Sequence, residues 1–441
     1  MKKIFFLLIL STLILGSCKK EDIPPVDTGV TPEQARDTLY YVMKAFYYWY
    51  DLMPVVDRLN YSNPYDLLEA MRYRERDRWS FVADFEEFMS EMGGTFVGHG
   101  IRVGLADDNT ARIAQIYKNA PLYSEGVRRG WKIKSVNGYN IAQILLNNDA
   151  QAYNTAFGPP EAGITNSFVF ENHEGTEISV SSTKASFTVN SVILYDTICL
   201  DAEKTKVAGH LVFESFIEPS EHELATAFSF FKQHNVQDLI LDLRYNSGGY
   251  VYIAQQLASY LGGNSLSGTT FAMQEYNDKW QSENYSFPFL SLANALNINR
   301  LVAITTRQTA SASEAVMNGL APHIDVSSVG DTTDGKPMGM DGWICGYKYI
   351  FCPITFKLVN SLGEGEYYDG IAPDKTAADD ITRDFSDRNE ASLSEAILFL
   401  KTGHFSEKGR TGFRSQRQFS ERPAWTNNMF DMKKQINPPI K

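Results

Sequence analysis

Two short apolar runs, residues 239–244 (LILDLR) and 301–306 (LVAITT), constrain this chain more than any other feature. Neither alternates apolar with polar as a half-exposed strand would, so each is expected to be a strand buried on both faces. Each also leads through a turn of glycine or small residues into a helical pattern, first at 246–249 and then near Ser311. An earlier run, 210–216 (HLVFESF), feeds a helix whose Ser220 and Glu223 have capping-box spacing and whose Leu224, Phe228 and Phe231 share a face. Buried strands alternating with helices predict an α/β unit with parallel strands, and ligands in such sheets sit beyond the carboxyl ends of the strands. The turns at 245–249 and 307–313 should therefore converge.

That unit is only part of the 441 residues, a length that calls for two or three domains. Residues 31–92 read as a helical domain. Thr31-Pro32 is a helix start, Pro54 a stop, and Asn63-Pro64 starts a second helix carrying Leu67, Leu68 and Met71. Residues 93–187 change to short β-type runs and glycine turns, with period-two apolar positions at Ile101 and Val103. A short helix is expected over 124–130, a turn at Asn137-Gly138, an inserted helix and loop over 142–164, and a strand pair closing the segment. Residues 188–400 are the α/β unit, and 401–441 form a tail with nine Lys/Arg against three Asp/Glu. The whole chain carries −12, which argues against nucleic acid as a partner.

At the other end, Lys2 and Lys3 precede a largely apolar run, 4–16, followed by Ser17 and Cys18, the order of a signal peptide over 1–17. Residues 15–18 (LGSC) resemble the lipobox of bacterial lipoproteins, which implies lipid attachment at Cys18, a membrane partner through that lipid, and residence in the cell envelope on the periplasmic face or surface of the outer membrane. Residues 18–30 would be the tether. Cys199, Cys345 and Cys352 remain; Cys345 and Cys352 flank a hairpin turn and are compatible with either a disulfide or two separately buried thiols. No Cys/His spacing suggests a metal, and no cofactor is implied.

The chemistry concentrates at 310–314 (ASASE), a strand-to-helix turn, and at Lys336, 25 residues beyond Ser311 in Asp334-Gly335-Lys336. Alone, Ser311-x-x-Glu314 is a helix-capping box. Together with the lysine, DLRYNSGG at 242–249 and GIAPD at 370–374, the sequence resembles the carboxyl-terminal processing (tail-specific) serine peptidases, and 93–185 resembles their PDZ domain. The resemblance runs over 31–400. It implies a helical segment, a PDZ-like β-barrel domain and an α/β peptidase core of the ClpP/crotonase type. It also implies Ser311 as nucleophile, Lys336 as general base, and Gly248, Gly249 and Ala312 as the oxyanion hole. A lysine can accept the serine proton only when neutral, so burial must lower its pKa and Asp331 and Asp334 must point elsewhere. Asp242 and Arg244 read as a structural pair, and His99 and His323 as ordinary turn or surface histidines. The family usually has a glutamine four residues after the lysine; here that residue is Met340, which cannot hold an amine by a strong hydrogen bond.

Gly98, His99, Gly100 and Ile101 resemble the PDZ loop that takes a peptide's terminal carboxylate while the peptide adds as a strand. Two readings follow. One is a lipid-anchored serine endopeptidase acting on proteins or peptides with free C-termini. The other is a weak or inactive homologue that binds peptides as an envelope lipoprotein.

Overall fold

The computed structural model describes residues 29–407 and the stretches 418–420 and 430–436. The expected signal peptide, Cys18 and all but the last two residues of the tether lie outside the described residues. The first helix, Pro32–Phe46, starts as its sequence dictates, with Thr31 and Gln34 exchanging hydrogen bonds of 3.0 and 3.3 Å at its N-terminus. It ends well before Pro54, because Tyr47 turns inward and donates its hydroxyl to the buried Asp77 carboxylate at 2.8 Å. The second helix, Pro64–Met71, buries Leu67, Leu68 and Met71. The segment is not purely helical: Phe81–Asp84 is a strand that pairs antiparallel with Tyr349–Cys352 of the C-terminal half.

The middle segment forms an antiparallel sheet in which Ile101–Leu105, Ala111–Ile116, Lys132–Val136, Thr165–Glu171 and Glu177–Thr183 lie side by side in that order. Ile113, Val136, Leu145, Phe168 and Phe170 fill its core. Helices Ile141–Asn147 and Ala150–Phe157 occupy the expected insertion. The short helix is Pro121–Ser124 rather than 124–130, because proline sets its first turn and Gly126, at φ +87°, ends it. Thr95–Gly98 pairs separately with Ala185–Thr188.

The α/β unit has the parallel strands that the apolar runs dictate. Val207–Phe213, Asp238–Asp242, Arg300–Thr305 and Asp325–Gly330 are adjacent, with Lys375–Thr376 at one edge and Val192–Cys199 antiparallel at the other. Alternation divides each buried strand between two cores: Leu239 and Leu241 meet Leu224, Phe228 and Phe231, whereas Ile240 meets Leu393 and Ile397 of the helix Ala391–Thr402. The expected capping box at Ser220 is absent. Pro219 is the N-cap, Ser220 Oγ bonds Ile217 N and Ser215 O, and Glu223 instead accepts from Ser191 and from Val192 N.

A second, antiparallel sheet contains Phe81–Asp84, Tyr349–Cys352, Met338–Cys345, Ile354–Val359, Thr270–Tyr276 and Tyr285–Pro288. Cys345 and Cys352 lie in it as separate buried thiols, whereas Cys199 is exposed.

A buried charge cluster fastens the middle sheet to the α/β unit. Arg244 pairs with Asp242 at 2.5 Å, Glu390 at 2.9 Å and Asp379 at 3.0 Å, as the reading of Asp242 and Arg244 as structural anticipates. Arg129, from the middle segment, reaches the same Asp379 at 3.0 Å, the Tyr245 hydroxyl at 2.9 Å and the Ala114 carbonyl. Burial alone would raise the Asp379 carboxyl, but the two guanidiniums hold it below its ordinary value. Removing one member of a buried network leaves charges uncompensated, so Asp379→Ala should cost about 3–5 kcal/mol of stability. Denaturant unfolding checks this; a loss under about 1 kcal/mol would mean that the cluster is not fastening the two parts.

Candidate active site

The turns at 245–249 and 307–313 do converge. Ala310 N donates to Asn246 O at 3.1 Å, Thr309 Oγ1 to Leu243 O at 2.7 Å, and Ser313 Oγ to Asn246 O at 3.0 Å. The contact needs glycine at 248, where a Cβ would stand 2.8 Å from that of Ser311 and 3.1 Å from Ala312 N. The Gly248 N–H is held by Asn246 Oδ1 at 2.9 Å. Gly249 lies in a bridge made by Phe216 N to Gly248 O and Tyr250 N to Phe216 O, which turns its own N–H to the opposite side.

Ser311 sits immediately before the helix Ala312–Leu320 with φ +60° and ψ −114°, a conformation glycine tolerates and a serine adopts at a cost of about 1–3 kcal/mol. It is fully buried, and its Oγ has no hydrogen-bond partner among the described residues. Ser313, two residues on, spends its hydroxyl on the Asn246 carbonyl. Geometry and the 25-residue spacing therefore distinguish the same serine.

Glu314 is the residue that sequence reasoning undervalued. One half of the capping-box reading holds, since its Oε2 accepts from Ser311 N at 2.8 Å, but Oε2 also accepts from Lys336 N at 2.8 Å. Oε1 accepts from Gly335 N at 2.7 Å and Thr333 Oγ1 at 2.5 Å. A single buried carboxylate thus ties the serine turn to the lysine loop. Burial pushes it up to about 7, while its four donors, which need acceptor oxygens, act in the opposite direction. The signal available in the sequence was a glutamate at a position that the parallel-sheet reading buries completely.

Lys336 is completely buried, and desolvation brings its ammonium down to about 7 against the opposing influence of Asp334, Asp77, Cys352 and Glu314. Of the two carboxylates expected to point away, Asp331 is turned to Arg307, whereas Asp334 remains the largest opposing charge on Lys336 although Trp79 holds it. Asp331 faces Arg307 at 3.7 Å, and Asp334 accepts from Trp79 Nε1 at 3.0 Å and lies 3.6 Å from Arg78. Arg78 also donates to the Asp334 carbonyl at 2.6 Å. The GIAPD segment explains itself here, because Ile371 N donates to Thr333 Oγ1 at 2.7 Å and a Cβ on Gly370 would strike Thr333 O at 2.3 Å. Met340 is fully buried within the apolar core, on the strand Met338–Cys345 opposite Ile354.

Gly98, His99, Gly100 and Ile101 lie where the strand Thr95–Gly98 gives way to Ile101–Leu105, two strands of different sheets. His99 is not a surface residue: its ring is buried between Ser182 at 3.0 Å and Asn166 at 2.8 Å, and desolvation lowers it to about 4. Next along the strand, Arg102 donates to the Gln308 side chain at 2.6 Å, connecting this edge to the turn that carries Ser311. His323 is half-buried beside the Thr270 carbonyl at 3.3 Å.

A family model described as peptidase family S41 matches residues 208–376, and one described as the peptidase S41 N-terminal domain matches residues 34–81. The chain is 26% identical over 280 residues to the carboxy-terminal processing protease CtpB of Bacillus subtilis, across 61% of this chain and 53% of that protein, so it spans about half the length of that relative. A solved S41 protease chain from Bacteroides fragilis shares its fold with a TM-score of 0.67 at 21% identity, over 83% of this chain and 97% of that one. Ser311, Lys336 and the Arg78 and Trp79 side chains that brace the lysine loop all fall inside the two matched regions, so the chain carries peptidase S41 family domains over 34–81 and 208–376.

Proposed function

We propose that this chain is a serine peptidase in which Ser311 is the nucleophile and Lys336 the general base. One observation carries the reading: the backbone amides of Ser311, whose strained, buried hydroxyl has no partner among the described residues, and of the desolvated Lys336 donate to the same carboxylate. In the proposed step, the neutral Lys336 amine takes the proton from Ser311 Oγ as that oxygen attacks the peptide carbonyl. The resulting ammonium returns the proton to the leaving amine, and water then releases the acyl group from the serine with the same base. Gly249 and Ala312 are the better oxyanion donors; Gly248, whose amide is occupied by Asn246, serves by lacking a side chain.

The substrates proposed are proteins or peptides with free C-termini. The name of the Bacillus relative describes processing at carboxyl termini, and the 98–101 loop resembles a PDZ carboxylate loop leading into the strand Ile101–Leu105. Under this reading 31–92, 93–187 and 188–400 are the helical, PDZ-like and peptidase domains. The lipobox reading of 15–18 adds a lipid anchor in the cell envelope.

Ser311→Ala should reduce turnover of an unfolded protein such as casein by about 10³-fold or more, whereas Ser313→Ala should keep turnover within about tenfold. Turnover surviving in Ser311→Ala removes the mechanism. For Lys336 the sign is set by its depressed pKa: the base form grows as pH rises, so kcat/KM should climb through about pH 7 and level off above it. Because holding this lysine in the core costs up to about 5 kcal/mol near neutral pH, Lys336→Met should abolish turnover and raise Tm. A lower Tm in that variant would make Lys336 a structural residue. Cys18→Ala should move the protein from the membrane to the soluble fraction in a fractionation assay; continued membrane retention would count against the anchor.

A further inference from the structure

The edge of Ile101–Leu105 that would receive a peptide is not open. Residues 418–420 lie on it as an antiparallel strand, with Gln418 opposite Gly104, Phe419 opposite Val103 and Ser420 opposite Arg102. The segment runs toward the 98–101 loop, the direction a docked C-terminus would take. Farther on, Phe430–Ile436 adds in parallel to Met338–Cys345, pairing Phe430 with Met340 and Asp431 with Asp341. The two described stretches therefore lie against two sheets, 418–420 on the strand whose Arg102 bonds Gln308 just before Ser311, and 430–436 on the strand that starts just after Lys336.

The two contacts differ in length. Three residues on the first strand can make only a few backbone hydrogen bonds, each contributing about 1 kcal/mol net, so the contact is weak alone. Seven residues on the second are the stronger hold. Held there, 418–420 meets its edge at the raised local concentration of a tethered ligand and can still yield to a competitor. Charge favours the contact: the chain totals −12, and since 401–441 contributes +6 the remaining 400 residues carry −18.

We propose that the C-terminal segment is a tethered ligand of the peptide-docking edge, held by 430–436 and excluding substrate from Ile101–Leu105 until displaced. This deepens the peptide-docking reading and rests on it. The full chain, otherwise wild type, is compared with Phe419→Pro and Ser420→Pro. These are adjacent positions, so one of the two amides faces the edge and is removed by proline. All three are prepared with Ser311→Ala, and binding of a fluorescent peptide of residues 412–425 is followed by anisotropy, with hydrogen exchange at Arg102, Val103 and Gly104. At least one proline variant should bind the peptide tenfold or more tightly than the parent and exchange those amides at least fivefold faster. Equal binding and exchange in all three overturns the tethered ligand, whatever the catalytic activity. With Ser311 restored, the same variant should cleave casein several-fold faster at low substrate. Tighter peptide binding with no cleavage by any protein upholds the tethered ligand and overturns the peptidase reading instead.

Discussion

The site depends on one carboxylate. Glu314 receives N–H groups from Ser311, Gly335 and Lys336 and the hydroxyl of Thr333, so both of its oxygens are fully used. Without it, three backbone amides and a hydroxyl would be buried without acceptors, each at about 1–3 kcal/mol. It joins the two loops that leave the carboxyl ends of the adjacent parallel strands Arg300–Thr305 and Asp325–Gly330. The same four bonds offset part of the strain at Ser311, whose backbone no ordinary helix start would adopt.

The electrostatics follow from burial and from what opposes it. Lys336 is held near neutrality because it is removed from water, and four negative or ionisable groups act in the opposite direction. Two of them are occupied elsewhere by the N-terminal segment: Asp334 by Trp79 and Arg78, and Asp77 by Tyr47, Trp79 and Ser80. The helical segment is thus part of the surroundings of Lys336 and not an appendage, and its strand Phe81–Asp84 extends the sheet that contains Met340.

The parallel sheet was legible because 239–244 and 301–306 are buried on both faces, and a strand of that kind has few alternatives. The convergence of the two turns followed from topology alone. Glu314 was legible only as a cap, since its other three donors come from 19 to 22 residues away and no local pattern records them. The second sheet was missed because its strands are interrupted by glycine, methionine and cysteine and pair with partners as distant as Phe81 with Cys352. The capping box at Ser220 failed for a related reason: Ser191 and Val192, remote in sequence, compete for Glu223. His99 looked like a turn residue because Asn166 and Ser182, which bury it, lie on strands far along the chain.

The central claim is that burial delivers Lys336 as a neutral base in the folded protein. Direct titration tests it: ¹³C-labelled lysine in Ser311→Ala protein, with the Lys336 ε-carbon resonance assigned by its loss in Lys336→Met and followed from pH 5 to pH 11. A transition near pH 7, well separated from the exposed lysines, is the predicted result. A transition near 10.4, together with theirs, would contradict the account, because the amine would then be protonated throughout the range in which a serine nucleophile needs it.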